Sequence, residues 1–97
     1  MPEINSIGLI ELSSVATGYV VEDVMLKAAS VRLLLARSIC SGKFLIVVAG
    51  DVMSVSAAVQ AGGTAAGTAL IERRQIARLH PSVLEAVSGG AEQLWNP

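Results

Sequence analysis

The chain has one cysteine and one histidine, Cys40 and His80, and these side chains are the best suited to nucleophilic or metal chemistry. A cysteine and a histidine act as nucleophile and base only where the fold brings them into hydrogen-bond contact. The two residues stand far apart in the sequence, and no local signature of a cysteine enzyme surrounds either one. We interpret His80, which precedes Pro81, as a capping or edge residue and predict no catalytic pair.

The remaining charged and glycine-rich positions also carry little catalytic potential. The acidic residues are scattered over the chain, so we interpret them as solvated faces and helix caps. The run from Gly62 to Gly67 lacks the Lys-Ser/Thr pair of a phosphate-binding loop. Arg73 and Arg74 have no aromatic residues nearby, and the net charge is −1, so nothing favours nucleic acid. The sequence therefore predicts neither an enzyme nor a nucleic-acid partner.

The composition is more informative than any single motif. The chain has 97 residues, of which 53 % are hydrophobic and 15 % are charged, whereas about 25 % of an ordinary soluble protein is charged. A domain of this size has a high surface-to-volume ratio and cannot bury so much apolar surface within itself. The excess must be covered by lipid or by other protein subunits.

Lipid is less favoured than other subunits as the partner that covers the excess apolar surface. The longest stretch without a charge, from Val52 to Ile71, is about long enough to span a bilayer. It contains Gln60 and three glycines, and it follows Asp51, a residue typical of a soluble helix cap. The first residues show no signal peptide, and the single cysteine is typical of a reducing cytosol. We therefore expect no membrane association, and we expect other subunits to cover the apolar surface.

The hydrophobic pattern predicts four strands and three helices in the order βαββαβα. This is an α/β (α+β) fold of the ferredoxin-like split βαβ type, with an antiparallel sheet and helices on one face. The first helix has an apolar stripe of Val21, Val24, Met25 and Ala28, and the second has one of Val52, Val55, Val59 and Gly62. The predicted strands are 7–12, 31–39, 43–49 and 69–78; the helices follow the caps Ser13-Ser14, Asp51 and His80-Pro81-Ser82.

Several segments in this order resemble the bacterial microcompartment (BMC) shell domain. They are Ile7–Glu11, Val24–Val31, Lys43–Val52 and Ile76–His80, within a resemblance that spans Ser6 to Ser88. Ser38–Phe44 and His80–Leu84 are most similar to the first half of tandem shell proteins of the propanediol-utilisation type. The resemblance implies a shell domain over 6–89 and a C-terminal tail over 90–97.

The resemblance implies a structural role. Proteins of this family form flat, six-sided tiles that meet edge to edge in a protein sheet around encapsulated enzymes. For a chain with one such domain we expect a homo-hexamer with a central pore for small metabolites. The implied partners are other shell proteins and the encapsulated enzymes, and the implied location is a microcompartment shell in the cytoplasm.

The resemblance also assigns residues at the tile edge. Lys27 matches the family's rim lysine, which lies against the same residue of the adjacent tile. Arg78 matches the rim arginine that reaches across that seam. Asp23 stands one helical turn before Lys27 and is expected to orient it through an i, i+4 pair. We place His80 at the same edge.

The resemblance places Ile39, Cys40, Ser41 and Gly42 in the loop that lines the pore. In some tandem relatives the cysteine matching Cys40 holds an iron–sulfur cluster on a three-fold axis. Such a cluster needs about four thiolates, whereas a hexamer would bring together more than one cluster can use. We therefore expect a reduced, pore-lining thiol and no cofactor. A cluster-binding shell protein and an oligomeric small-ligand sensor stay open as alternatives.

Overall fold

The computed structural model describes residues 4–77, which contain four strands and two α-helices. Short connections join consecutive elements. In chain order they are β1 (Ser6–Leu12), α1 (Val15–Ala28), β2 (Arg32–Cys40), β3 (Lys43–Gly50), α2 (Val52–Ala66), a 3-10 turn (Gly67–Ala69) and β4 (Leu70–Ala77).

The strands form one antiparallel sheet in the order β2-β3-β1-β4. β1 lies next to both β3 and β4, so that Ile10 stands opposite Ile46 on one side and Arg73 on the other. β2 and β4 are the outer strands. The predicted split βαβ, antiparallel arrangement is confirmed over the described residues.

Both helices cover the same face of this sheet. A Cβ atom placed on Gly8 of β1 would come within 2.4 Å of Val59 in α2. A Cβ placed on Gly18 of α1 would come within 2.4 Å of the Phe44 ring in β3. Gly8 and Phe44 point to one face because side chains alternate along a strand. The prediction that the helices lie on one face is confirmed for α1 and α2.

The main core lies between the helices and the sheet. Ile10 and Ile46 from the sheet and Val21, Met25 and Val55 from the helices are fully buried in it. Each such aliphatic side chain contributes about 1.5–3 kcal/mol by leaving water. This layer therefore holds the helices in fixed positions on the sheet.

The opposite face of the sheet carries a second apolar cluster. Ile7, Leu35, Leu45, Val47 and Ala49 form it, and all five are buried. β3 therefore buries side chains on both of its faces, which accounts for its uninterrupted apolar sequence from Phe44 to Ala49.

Side-chain caps begin both helices. The Ser14 hydroxyl accepts a hydrogen bond from the Thr17 amide at 3.2 Å, and the Asp51 carboxylate accepts one from the Ser54 amide at 2.9 Å. The Ser54 hydroxyl also donates to Asp51. These bonds lower the pKa of Asp51 below its usual value of 3.8, chiefly through the Ser54 amide. The predicted caps at Ser14 and Asp51 are confirmed.

Some details of the sequence prediction are wrong. Val52 and Ala28 belong to the predicted apolar stripes, but both are exposed; Val52 is the first residue of α2 and Ala28 the last of α1. β4 begins at Leu70 instead of Ala69, because the 3-10 turn after α2 ends at Ala69. The predicted last helix and the tail over 90–97 lie outside the described residues.

The two helices are short. α2, the longer, runs over 15 residues, whereas a membrane-spanning helix needs about 20. Within residues 4–77 no helix has the length and apolar character needed to cross a membrane.

Candidate functional site

A tight hairpin joins β2 to β3 at the segment predicted to line a pore. Cys40 pairs with Lys43 across the hairpin, so Ser41 and Gly42 alone form the turn. Gly42 has φ of +75°, a backbone conformation that side-chain-bearing residues rarely adopt. The sequence interpretation treated Cys40 as part of the turn. The structure instead places it as the last residue of β2.

The hairpin tip offers small, uncharged groups to its surroundings. Cys40, Ser41 and Gly42 are exposed, and the Cys40 thiol is free. A Cβ on Gly42 would meet nothing within 4 Å in the described part of the chain, so there is open space beside the turn. Ile39 differs from these three because it is half-buried and packs against the second apolar cluster. The tip can therefore donate and accept hydrogen bonds without a fixed charge.

The base of the hairpin is firmly held. Phe44, the second residue of β3, is 1 % exposed. Its ring contacts the Tyr19 ring of α1 at a centroid distance of 5.3 Å. On the other face, the Lys43 ammonium lies 3.9 Å from the Glu11 carboxylate of β1. The tip of the hairpin is exposed, whereas the contacts of Lys43 and Phe44 at the start of β3 anchor its base.

The predicted edge residues of α1 form an ion pair. Lys27 Nζ lies 2.9 Å from Asp23 Oδ2, and the two side chains are 76 % and 62 % exposed. The predicted i, i+4 pair is therefore confirmed. An ion pair this exposed contributes little to folding stability. Arg78 and His80, the other two edge residues, lie outside the described residues.

The described chain brings the candidate residues together in two groups. Residues 39–42 are contiguous at the hairpin, and Asp23 with Lys27 lies on α1. Between residues 4 and 77 no three His, Cys, Asp or Glu side chains are grouped as metal ligands.

The sequence analysis missed a polar groove between α2 and β4. Ser56, Gln60 and Thr64 line it from the helix, and Arg73 and Gln75 line it from the strand, in a volume of about 390 Å³. The sequence does contain both walls of the groove: Ser56, Gln60 and Thr64 are spaced four apart on one helix face, and Arg73 and Gln75 are two apart on one strand face. The groove could not be predicted from this spacing, because nothing in the sequence shows that the helix and the strand are adjacent.

The chain is similar to known proteins over most of its length. A profile of the BMC domain matches residues 6–79. The bacterial microcompartment shell protein PduT of Citrobacter freundii is 44 % identical over 84 residues, which cover 87 % of this chain and 46 % of the relative. The carboxysome shell protein CsoS1 of Prochlorococcus marinus is 34 % identical over 88 residues, which cover 88 % of this chain and 85 % of the relative.

A solved structure agrees with these sequence matches. The crystal structure of a microcompartment protein from Desulfitobacterium hafniense superimposes with a TM-score of 0.84 and 41 % identity, over 90 % of this chain and 48 % of that one. The chain therefore spans about half the length of PduT and of this structural relative.

Proposed function

The chain belongs to the BMC domain family, and on that premise we propose that it is a structural shell protein of a bacterial microcompartment. In this proposal six copies form a ring, and rings meet edge to edge in the shell. The Cys40 hairpin of each copy lies at the ring axis and lines a pore for small metabolites. Other shell proteins and the encapsulated enzymes are its partners.

The hairpin geometry is the observation that carries the proposal. Several identical loops can converge on an axis only if each is narrow, stands clear of its own domain and carries small side chains. The Ser41-Gly42 turn meets these three conditions, since it has two residues, is exposed and has open space around Gly42. Converging Ser41 hydroxyls and backbone N–H groups would suit polar or anionic metabolites.

The exposed apolar surface supports assembly with further copies. Large apolar side chains are exposed on both helices and on β4, which pairs only with β1 among the described strands. Burial against neighbouring chains would remove this surface from water. The side chains are Tyr19, Val20, Leu26, Val52, Met53, Ile71 and Ile76.

The ion pair on α1 suits a seam between rings. Asp23 fixes the direction of the Lys27 side chain while leaving it 76 % exposed. An ammonium group so placed can hydrogen-bond to carbonyl groups of an adjacent ring. Arg78 and His80 are proposed for the same seam on the family resemblance alone.

We propose no resident cofactor. The exposed Cys40 thiol is interpreted as a small pore-lining group, because one cysteine per chain supplies cluster ligands only where several copies meet. Catalysis is also no part of the proposal, since the hairpin tip carries no general base or charged group.

The single cysteine makes the arrangement directly testable. We would label Cys40 with a maleimide-linked gold cluster, measure the native mass, and image the labelled protein by electron microscopy. The proposal expects the mass of six chains, gold density at the ring centre and hexagonally packed sheets in unlabelled protein. A chain that stays monomeric at high concentration, or gold at the ring periphery, would contradict it.

A further inference from the structure

The polar groove between α2 and β4 has features that the proposed shell role does not require. Among residues 4–77 its lining comprises one cationic side chain, Arg73, together with neutral polar groups and Val59, and no carboxylate. Its volume of about 390 Å³ lies in the range of small-molecule sites. A groove of this charge and polarity favours an anion.

Arg73 lines the groove and has no ion-pair partner among residues 4–77. Along β4, Glu72 and Arg74 point to the opposite face of the sheet from Arg73 and pair with each other at 2.7 Å. Among the ion pairs and hydrogen bonds of residues 4–77, none involves the Arg73 guanidinium. Within this part of the chain its N–H donors are therefore available to a ligand, and Glu72, the acidic residue next to it on β4, is paired with Arg74.

A glycine sets the position of this guanidinium. A Cβ on Gly63 of α2 would come within 2.7 Å of Arg73 Nη1 and 3.1 Å of Arg73 Cδ. Only the absence of a side chain at Gly63 lets the arginine lie against the helix. Gly63 stands on the same side of α2 as Ser56 and Gln60, because residues three, four and seven apart share a helix face.

Neutral donors stand beside the guanidinium. Of the other groove side chains, Gln75 already donates to the Val52 carbonyl and the Ser6 hydroxyl, and Thr64 donates to the Gln60 carbonyl. The Ser56 hydroxyl and the Gln60 side-chain amide have no such bond within the described residues. A guanidinium, a hydroxyl and an amide lining one groove are the kinds of donor that bind a carboxylate or phosphate group.

We propose that this groove binds an oxyanion, a carboxylate or a phosphate group, with Arg73 as the charged contact and Ser56 and Gln60 as neutral donors. The oxyanion can come from a small molecule in solution or from an acidic side chain of a neighbouring copy. The chemistry of recognition is the same in both cases. The site lies apart from the Cys40 hairpin and does not depend on the proposed shell function.

Binding of an oxyanion from solution is tested with inorganic phosphate. We would follow the melting temperature of the assembled protein as phosphate replaces chloride at constant ionic strength. For a solution anion, the wild type shows a saturable rise. Arg73→Gln weakens the apparent affinity at least fivefold, while the matched control Arg74→Gln, on the other face, leaves it unchanged.

Gly63→Ala provides a second variant that keeps the arginine. The added methyl group displaces the flexible, exposed end of Arg73 from the groove, and alanine is otherwise favourable in a helix. The variant therefore folds as well as the wild type and loses phosphate affinity to a similar extent as Arg73→Gln.

Binding of a carboxylate from a neighbouring copy is tested by measuring the native mass of the assembly. If a neighbour supplies the carboxylate, Arg73→Gln and Gly63→Ala lower the assembled fraction at a given concentration, phosphate competes with assembly, and Arg74→Gln assembles normally. The proposal is overturned if phosphate affinity and assembly are unchanged in Arg73→Gln. It is equally overturned if Arg74→Gln shows the same losses, because the effect would then follow net charge.

Discussion

Gly18 of α1 lies directly against the ring of Phe44, so closely that a Cβ at position 18 would stand 2.4 Å from Phe44 Cδ2 and 3.0 Å from Phe44 Cβ. Phe44 is buried and is the second residue after the hairpin turn. The first helix therefore sets the position of the strand that carries the candidate pore loop. The contact depends on the absence of a side chain at Gly18.

We expect Gly18→Ala to destabilise the domain by about 1–3 kcal/mol, because the buried ring cannot move aside without disturbing the core. The result would be unusual for a helix, where alanine normally stabilises relative to glycine by about 0.5–1 kcal/mol. Ala16→Gly, at an exposed site in the same turn, is the control and should show that normal cost. Urea unfolding at fixed protein concentration measures both, and a Gly18→Ala variant as stable as the wild type would contradict the close contact.

We expect Lys27→Ala to leave single rings intact while raising the protein concentration needed for sheets several-fold. Its ion pair with Asp23 is too exposed to matter for folding. In the proposed assembly, the contact that Lys27 makes across the seam would recur along every edge of a tile. Native mass and electron microscopy separate the two effects. Lys27→Arg keeps the charge and serves as the control. Sheets that form at an unchanged concentration would show that Lys27 is not at the seam.

We expect Ser41→Leu to slow the passage of small metabolites through assembled shells, because each copy would add a bulky side chain at the axis. Ser41 is exposed in the turn, so the free energy of unfolding should change by no more than about 0.5 kcal/mol. Turnover of external substrate by an encapsulated enzyme measures the flux. Ser41→Ala keeps a small side chain and should pass metabolites at the wild-type rate. A metabolite flux in Ser41→Leu equal to that of the wild type would show that Ser41 does not line the pore.

We expect protein purified without oxygen to show no absorbance from sulfur-to-iron charge transfer and no stoichiometric iron. The Cys40 thiol should react fully with a thiol reagent, since it is free and exposed. Cys40→Ser should assemble as the wild type does. Brown protein whose colour and iron disappear in Cys40→Ser would instead establish the iron–sulfur alternative.

We expect the Asp51 cap to stabilise the protein above about pH 4 and to lose this effect in acid. The folded-state pKa of Asp51 lies below its usual value of 3.8, so the folded protein favours the ionised form. The stabilisation is present above the unfolded-state pKa and falls away as the pH decreases through the folded-state pKa.

The cap is tested with two variants in thermal unfolding between pH 2.5 and 7. Asp51→Ala should lower the melting temperature at neutral pH, with a difference from the wild type that shrinks in acid. Asp51→Asn keeps a side-chain acceptor for the Ser54 amide, so it should retain much of the cap while losing its pH dependence. A deficit in Asp51→Ala that is constant over this pH range would show that the carboxylate charge is irrelevant.

Local sequence features were enough to place most elements. The apolar run after Lys43 identified β3, and the short polar groups at Ser14 and Asp51 identified the helix starts, because these signals act between residues that are close in the chain. The i, i+4 spacing likewise predicted the Asp23–Lys27 pair. The positions of the hairpin and of the edge pair on their elements could therefore be predicted from the sequence.

Contacts between distant parts of the chain were decided only by the tertiary structure. Gly18 lies on Phe44, and Gly63 admits Arg73 beside α2, because the fold brings these residues into van der Waals contact. No periodic pattern in the sequence predicts these contacts. The sequence therefore shows where the glycines are, but not which side chains pack against them. The polar groove exists for the same reason: its two walls are adjacent only once the strand after α2 has paired with β1.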